Sequence, residues 1–303
     1  MDTVLDLPHA DAVAAVRAAP IAWVLMNPVE YHGPHLPLHT DQLLSTGWIA
    51  ALHRALGHPG EPVIGAVVAL GVEPTVGPGT RAASFAEVRR AAIGACASLA
   101  ELGATAIGVV TFHGAPLHNL ALAAAVSWCR ARGIRAVAPF QEVIRELGRS
   151  ELPLFDAVAH ELAPEHRAGI RASLVHDFHA GLLETSLMLH WWPAQVSAIH
   201  RTLPPCPPVT PWRPLALAAR LARGRLGDEL RVAAHGAGWI RTTPFPGYTG
   251  SPALATPAIG ARFAEAVVDG VLPVVRAALA GEATPAPPFR WVGPASLWGA
   301  VRP

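Results

Sequence analysis

The feature that most constrains this 303-residue chain is the alternation, over its first half, of short unbroken apolar runs with longer helical patterns. Residues 21–27 (IAWVLMN), 62–70 (PVIGAVVAL) and 104–111 (ATAIGVVT) are continuous apolar runs bounded by Gly or Pro, and 134–138 (IRAVA) is a weaker fourth. Such runs fit strands buried on both faces. Between and after them, residues 40–57, 84–102, 116–132 and 141–149 follow a helical period. In the clearest of these, Ser84 and Glu87 form a capping-box pair and Gly103 stands at the end. Strand–helix alternation of this kind predicts an α/β protein with a mainly parallel central sheet between helices. In such sheets ligands bind beyond the carboxyl ends of the strands. The loops after the first and third runs should therefore emerge at one edge.

Those two loops are where the chemistry-bearing residues concentrate. "VEYHGPHLPLHTDQ" (29–42) places Glu30, His32, His35, His39 and Asp41 among a glycine and two prolines. Glu30 and His32 share a side if the strand continues, as ligands from one strand must. Thr40 is placed to cap the helix that follows. Carboxylate, imidazole and carboxylate suit Zn²⁺, Mn²⁺ or Fe²⁺; a polar turn with a capping Thr–Asp pair is the competing reading. "TFHGAPLHN" (111–119) brings His113 off a buried strand straight into a glycine, while His118 and Asn119 are expected to be capping or surface groups.

A third stretch, "HDFHAGLLETSLMLHWWP" (176–193), holds His179 and Glu184. Five residues place them about 140° apart on a helix, so they converge only with His179 in a loop and Glu184 in the first helical turn. The competing reading makes Glu184 a cap and His179 a surface group. "HELAPEH" (160–166) fails as a zinc-protease motif, because its histidines are six apart and Pro164 interrupts. "GPGTRA" (77–82) lacks a clear strand before it and an acidic ribose partner, and no GxSxG elbow occurs.

Composition excludes several other chemistries. The 23 basic residues are all arginine, which removes a Schiff-base lysine, a P-loop lysine and a Ser–Lys dyad. The arginines are scattered, so no nucleic-acid footprint is expected. Apolar runs fall well short of a membrane span, and the acidic start MDTVLDLPHA has no apolar signal-peptide core. Cys96, Cys129 and Cys206 are widely spaced, which fits structural thiols in a reducing cytoplasm. One domain is expected over residues 1–283. A Pro/Trp-rich tail, 284–303, should pack on the body or on a neighbouring subunit, and the proline-dense 201–214 should be a loop within that domain.

Taken together, the three stretches resemble the creatininase family. Its first signature, E-x-H-G-x-H-L-P-x-x-T-D, stands here as Glu30 to Asp41, and its D-x-H-A-G-x-x-E-T-S stands as Asp177 to Ser186. His113-Gly114 matches a histidine–glycine pair that the family places after a strand. "GPGT" (77–80) and "YTGSPALATPAIGARF" (248–263) match more weakly, in family order. The resemblance implies a three-layer αβα fold, usually oligomeric (a hexamer), with two divalent metal ions per subunit. By position, Glu30, Asp41 and His113 would surround one ion. His32, Asp41 and Glu184 would surround the other, with Asp41 bridging. His179 would sit beside the ions as an acid–base or substrate-positioning group, and His35 and Asp177 would support them.

The chain departs from the pattern at Thr111, Phe112, Ala115, Pro116 and Leu182. Ala115 stands where creatininase itself has a liganding glutamate. Phe112 and Leu182 would make the pocket more apolar if they face it. The resemblance thus implies a metal-dependent hydrolase of a non-peptide C–N bond, an amide or cyclic amide other than creatinine. The alternatives are a peptidase trimming a short peptide, a formamide deformylase, and a metal-binding protein without turnover. The expected partner is a small amide or short peptide, with neither nucleic acid nor membrane.

Overall fold

A computed structural model describes residues 3–147 and 153–292. In chain order the elements are helix α1 (His9–Ala18), strand β1 (Ala22–Asn27), α2 (Thr40–Ala55), β2 (Val63–Ala69), α3 (Phe85–Glu101), β3 (Ala106–Val110), α4 (Pro116–Arg130), β4 (Arg135–Val137) and α5 (Phe140–Leu147). There follow α6 (Pro153–His160), α7 (Pro164–Ser173), α8 (Leu182–Trp191), α9 (Arg213–Leu221), α10 (Gly224–Trp239) and α11 (Pro257–Leu279). The strands form one sheet in the order β2-β1-β3-β4, with every pairing parallel. All four predicted strands and the helices between them are present.

The sheet is buried on both faces, and β1 shows why an unbroken apolar run was needed. Ile21, Trp23 and Leu25 point into one core, while Ala22, Val24 and Met26 point into the other. The first core is closed by α2 (Leu44, Trp48, Ile49, Leu52), α8 (Leu183, Leu187, Met188) and α11 (Ile259, Phe263, Val267, Val271). The second is closed by α1 (Ala12, Val16), α3 (Val88, Ala92, Cys96, Leu99) and α4 (Leu117, Ala121, Ala125, Cys129), whose spacings of three and four put each set on one helical stripe. The result is three layers: helices, sheet, helices. Gly108 in β3 is where the Trp23 indole lies against the backbone, and a Cβ there would come within 2.3 Å of the ring.

Helix α3 starts and stops as its sequence predicts. Ser84 Oγ accepts the Glu87 amide, the Glu87 carboxylate accepts the Ser84 amide, and Gly103 takes φ +101° just beyond the end. Parallel strands send the chain off every strand at the same edge. The segments 28–39, 70–83 and 111–115, after β1, β2 and β3, therefore all gather there.

Of the expected tail, 284–292 lies against α5 and α10. Arg145 donates to the Ala286 carbonyl at 2.7 Å, Trp291 Nε1 donates to Glu229 at 3.0 Å, and Phe289 is buried. Residues 293–303 lie outside the described ones. No helix among the described residues is long and apolar enough to cross a membrane.

Candidate metal centre

Asn27, the last residue of β1, ties the site-bearing segments together. Its buried Oδ1 accepts from Ser45 Oγ of α2 at 3.0 Å, from Thr111 Oγ1 at 3.2 Å and from the Phe112 amide at 3.0 Å. The chain then runs through Pro28 to Glu30. The Glu30 amide donates to the Leu38 carbonyl, closing the 30–38 loop, and Gly33 turns it at φ +66°. Helix α2 begins at Thr40, which puts Asp41 in its first turn, where a carboxylate is favoured by the dipole. Thr40 does not cap; its hydroxyl donates to the Pro37 carbonyl at 2.6 Å, because Thr40 already lies inside the helix.

Glu30, His32, Asp41, His113, His179 and Glu184 converge and are all buried. Three groupings bring their potential ligand atoms within 4.8 Å of one another: Glu30–Asp41–His113, His32–Asp41–Glu184 and Glu30–His32–His179. The first two are the sets that the resemblance implied. Asp41 belongs to both. Its Oδ1 lies 3.3 Å from His32 Nε2, and its Oδ2 lies 3.9 Å from His113 Nδ1 with no hydrogen-bond partner.

The orientation of the imidazoles carries the strongest chemical information. His32 Nδ1 donates to the Glu30 carbonyl (3.1 Å), His113 Nε2 to the Val72 carbonyl (3.2 Å) and His179 Nε2 to the Tyr31 carbonyl (2.8 Å). A carbonyl only accepts, so each of these nitrogens carries the proton. In the neutral ring the other nitrogen holds a lone pair; in His32 and His113 it turns toward the carboxylates, and in His179 it lies 3.4 Å from Thr75 Oγ1. His32 Nε2 has no hydrogen-bond partner, though it stands 3.3, 3.8 and 3.9 Å from Asp41, Glu30 and Glu184. None of these approaches is a hydrogen bond, and two ligands each about 2.0–2.1 Å from a tetrahedral ion lie roughly 3.4 Å apart. A backbone carbonyl fixing the far nitrogen is the usual support of a metal-binding histidine.

The electrostatics fit the same reading. Burial pushes Asp41 well above the ordinary carboxylate range, with Glu30 adding to it, and burial raises Glu184 to about 8. For Glu30 burial acts upward too, but the His113 imidazolium outweighs it and holds Glu30 well below the usual range. For His113 burial acts downward, and Glu30 outweighs it, raising the ring to about 9. Three enclosed carboxylates are short of positive charge, which a divalent cation would supply. The residues present fit such an ion.

Around this cluster stand supporting groups, some placed as the sequence suggested and others differently placed or missed. His35 shares a 2.9 Å hydrogen bond with Thr185 Oγ1 and braces the loop, while His39 is exposed. Asp177 accepts the Leu182 and Leu183 amides at 2.8 and 3.0 Å and so anchors the start of α8, which sets Glu184 as its third residue. Leu182 is fully buried in the core, and Phe112 packs edge-on against Trp48 and beside Phe140. Both fill the core rather than make a pocket apolar.

His118 and Asn119, expected at the surface, are buried. His118 donates to the Met26 carbonyl, and Asn119 Nδ2 donates to the His113 carbonyl at 2.8 Å. Thr75 was not foreseen. Its amide donates to Glu30 Oε2 at 2.5 Å, and its hydroxyl lies 3.4 Å from His179 Nδ1. The signal was available, because 70–80 follows β2 and so emerges at the same edge as the other two loops. In that segment Thr80 Oγ1 accepts the Tyr31 amide and donates to the Thr75 carbonyl.

Fold and site define a class of layered α/β proteins that gather carboxylate and histidine groups at the carboxyl edge of a parallel sheet. The family model for creatinine amidohydrolase matches residues 6–275, and the chain belongs to the creatininase family of hydrolases. Solved structures share the fold. A putative creatinine amidohydrolase from Bacteroides fragilis NCTC 9343 is 18% identical with a TM-score of 0.60, over 92% of this chain and 98% of that one. A structure described as "Creatininase Mn" is 21% identical (TM-score 0.57, 91% and 98% coverage), and a mutant creatininase of "Zn-Zn type" is 20% identical (TM-score 0.58, 91% and 98% coverage). No curated protein matches the sequence.

Proposed function

We propose that this protein hydrolyses a non-peptide C–N bond, in an amide or cyclic amide, at a centre of two divalent ions. The reading rests on one observation: three buried imidazoles are each fixed by one nitrogen on a backbone carbonyl, and two of them, His32 and His113, turn the other nitrogen toward three carboxylates. Glu30, Asp41 and His113 would hold one ion, and His32, Asp41 and Glu184 the other. The manganese and zinc creatininase structures of this fold support that assignment. When bound, the ions would supply an acidified water and polarise the amide carbonyl.

The chain's own residues account for the rest. Asp41 offers one oxygen to each set and so fixes their separation. His179 is held down to about 3 by burial and by His32, so it is neutral, with Nε2–H on Tyr31 and Nδ1 facing the cluster. Nδ1 can take a proton and pass it to the departing nitrogen. The enclosure of the site excludes bulk water and suits a small substrate, and Ala115 in place of a liganding glutamate favours a substrate other than creatinine.

Metal analysis, with turnover on lactams, formamides and short peptides, tests the reading. His32→Ala and Glu184→Ala should each lose bound metal and activity. Full metal content and full turnover in both would show the ligands to be misassigned.

A further inference from the structure

Glu73 is a carboxylate at this site that the chemistry above leaves unused. It lies between Val72, whose carbonyl accepts from His113, and Thr75, whose amide donates to Glu30. Its φ is +58°, a region that glycine or asparagine adopts more readily than glutamate. The turn of the backbone alone therefore does not call for glutamate. One of its oxygens, Oε2, accepts the Leu117 amide at 2.9 Å, at the start of α4, where Ala115 supplies no side-chain cap. The other oxygen makes no hydrogen bond to the described residues.

Its surroundings point the same way. Glu73 is half-buried, whereas every residue of the metal groupings is buried, so it stands nearer the solvent. Burial raises Glu73 above the ordinary carboxylate range, while the Leu117 amide and the charged His113 act to keep it ionised. Beside His113, Gly114 is exposed with nothing within 4 Å of where a Cβ would be, and Ala115 presents only a methyl group. There is room on this side for part of a substrate. No lysine occurs in the chain, and among the described residues no arginine pairs with Glu30, Asp41, Glu73 or Glu184.

We infer that Glu73 is a specificity-determining residue whose free carboxylate oxygen binds an ammonium or similar cationic N–H group of the substrate, beside the amide that is cleaved. The inference rests on the two-ion reading of the centre. Helix capping accounts for one oxygen only, and Glu73→Gln separates the two roles, because glutamine keeps an oxygen for the Leu117 amide and loses the charge.

The test is calorimetric titration of metal-loaded wild type and Glu73→Gln with hydroxamates of different charge. Acetohydroxamate is neutral, glycine and β-alanine hydroxamates carry an ammonium group at two reaches, and succinic monohydroxamate carries a carboxylate. A charge-assisted hydrogen bond predicts that wild type binds the better ammonium probe about 10-fold or more tightly than acetohydroxamate, and the anionic probe most weakly. Glu73→Gln should lose that preference while keeping its metal content, melting temperature and acetohydroxamate affinity.

An ammonium preference that survives in Glu73→Gln overturns the inference. So does an equal loss for every probe, which would make Glu73 a structural cap. A wild type that loads metal and binds acetohydroxamate without preference overturns it too, and leaves the metal centre standing. A protein that takes up no metal and binds no hydroxamate removes the two-ion reading, and the role of Glu73 falls with it.

Discussion

His113 Nδ1 lies 2.9 Å from Glu30 Oε1 while the far side of the same ring is fixed on the Val72 carbonyl. Without an ion, the near nitrogen must carry a proton to face a carboxylate, and Glu30 raises the ring to about 9 against the downward pull of burial. Burial raises Glu184 to about 8, so it too is protonated at neutral pH. Loading with metal must expel these protons. Titrating metal-free protein with Zn²⁺ or Mn²⁺ near pH 7, in buffers of different ionisation enthalpy, should show about two or more protons released per loaded chain, since Asp41 is raised as well, and apparent affinity should rise with pH up to about 9. Proton-neutral binding would contradict this picture.

His179 lies tilted against His32 with ring centroids 4.2 Å apart, yet its Nε2–H is committed to Tyr31. As a proton carrier it is separable from the ligands. His179→Asn should keep two ions per chain by elemental analysis and lower kcat by about 10²–10⁴-fold. Loss of an ion in this variant would instead make His179 a ligand, through its grouping with Glu30 and His32.

The sheet and its flanking helices were legible because each apolar run is shorter than a helix and each helical pattern carries its own end signals, Ser84, Glu87 and Gly103 among them. The six converging residues were legible because two of their loops leave parallel strands at one edge. Thr75, Glu73 and Asn27 were not. The place of Thr75 and Glu73 at that edge could be read from β2, but the contacts come from a backbone amide, a carboxylate carried at positive φ and an amide side chain acting as a hub, none of which leaves a pattern in residue types. His118 and Asn119 read as surface groups because polarity at a helix start usually means exposure; here the Met26 and His113 carbonyls needed donors.

Asp177 is set against backbone on every side. A Cβ on Gly181 would come within 2.5 Å of its carboxylate, as would one on Gly250, where φ is +59°. That packing leaves the carboxylate to serve the Leu182 and Leu183 amides. Asp177→Ala should cost about 1–3 kcal/mol in urea unfolding, the penalty for leaving buried donors unmet. By loosening the first turn of α8 it should also lower metal occupancy through Glu184. Asp177→Asn, which keeps an acceptor, should cost less on both measures.

The core beneath the site should respond in stability alone. An added methyl at Gly108 would overlap the Trp23 indole between β3 and β1. Gly108→Ala should therefore destabilise by about 1–3 kcal/mol, as over-packed cores do, and leave metal stoichiometry unchanged. A neutral effect in thermal unfolding would show that the indole can move aside.

Behind His179, Trp239 leads to a pair of half-buried histidines. The rings of His176 and His235 stack at 3.7 Å and 9°, with Phe178 edge-on to His235. Burial, and then His176, lowers His235 to about 4; burial also lowers His176. The unfolded rings titrate near 6.5. Between about pH 6.5 and 4 the unfolded chain binds protons that the folded chain refuses, so this contribution is complete above 6.5 and is lost as pH falls through the window. Allowing for solvent screening of half-exposed rings, its size is on the order of 1 kcal/mol. His235→Phe keeps an aromatic face for His176 and removes one titrating ring. Its melting temperature should fall less steeply than that of wild type between pH 6.5 and 4, with little difference at pH 7.5. Parallel curves would mean that the stack is already solvated enough to protonate without strain.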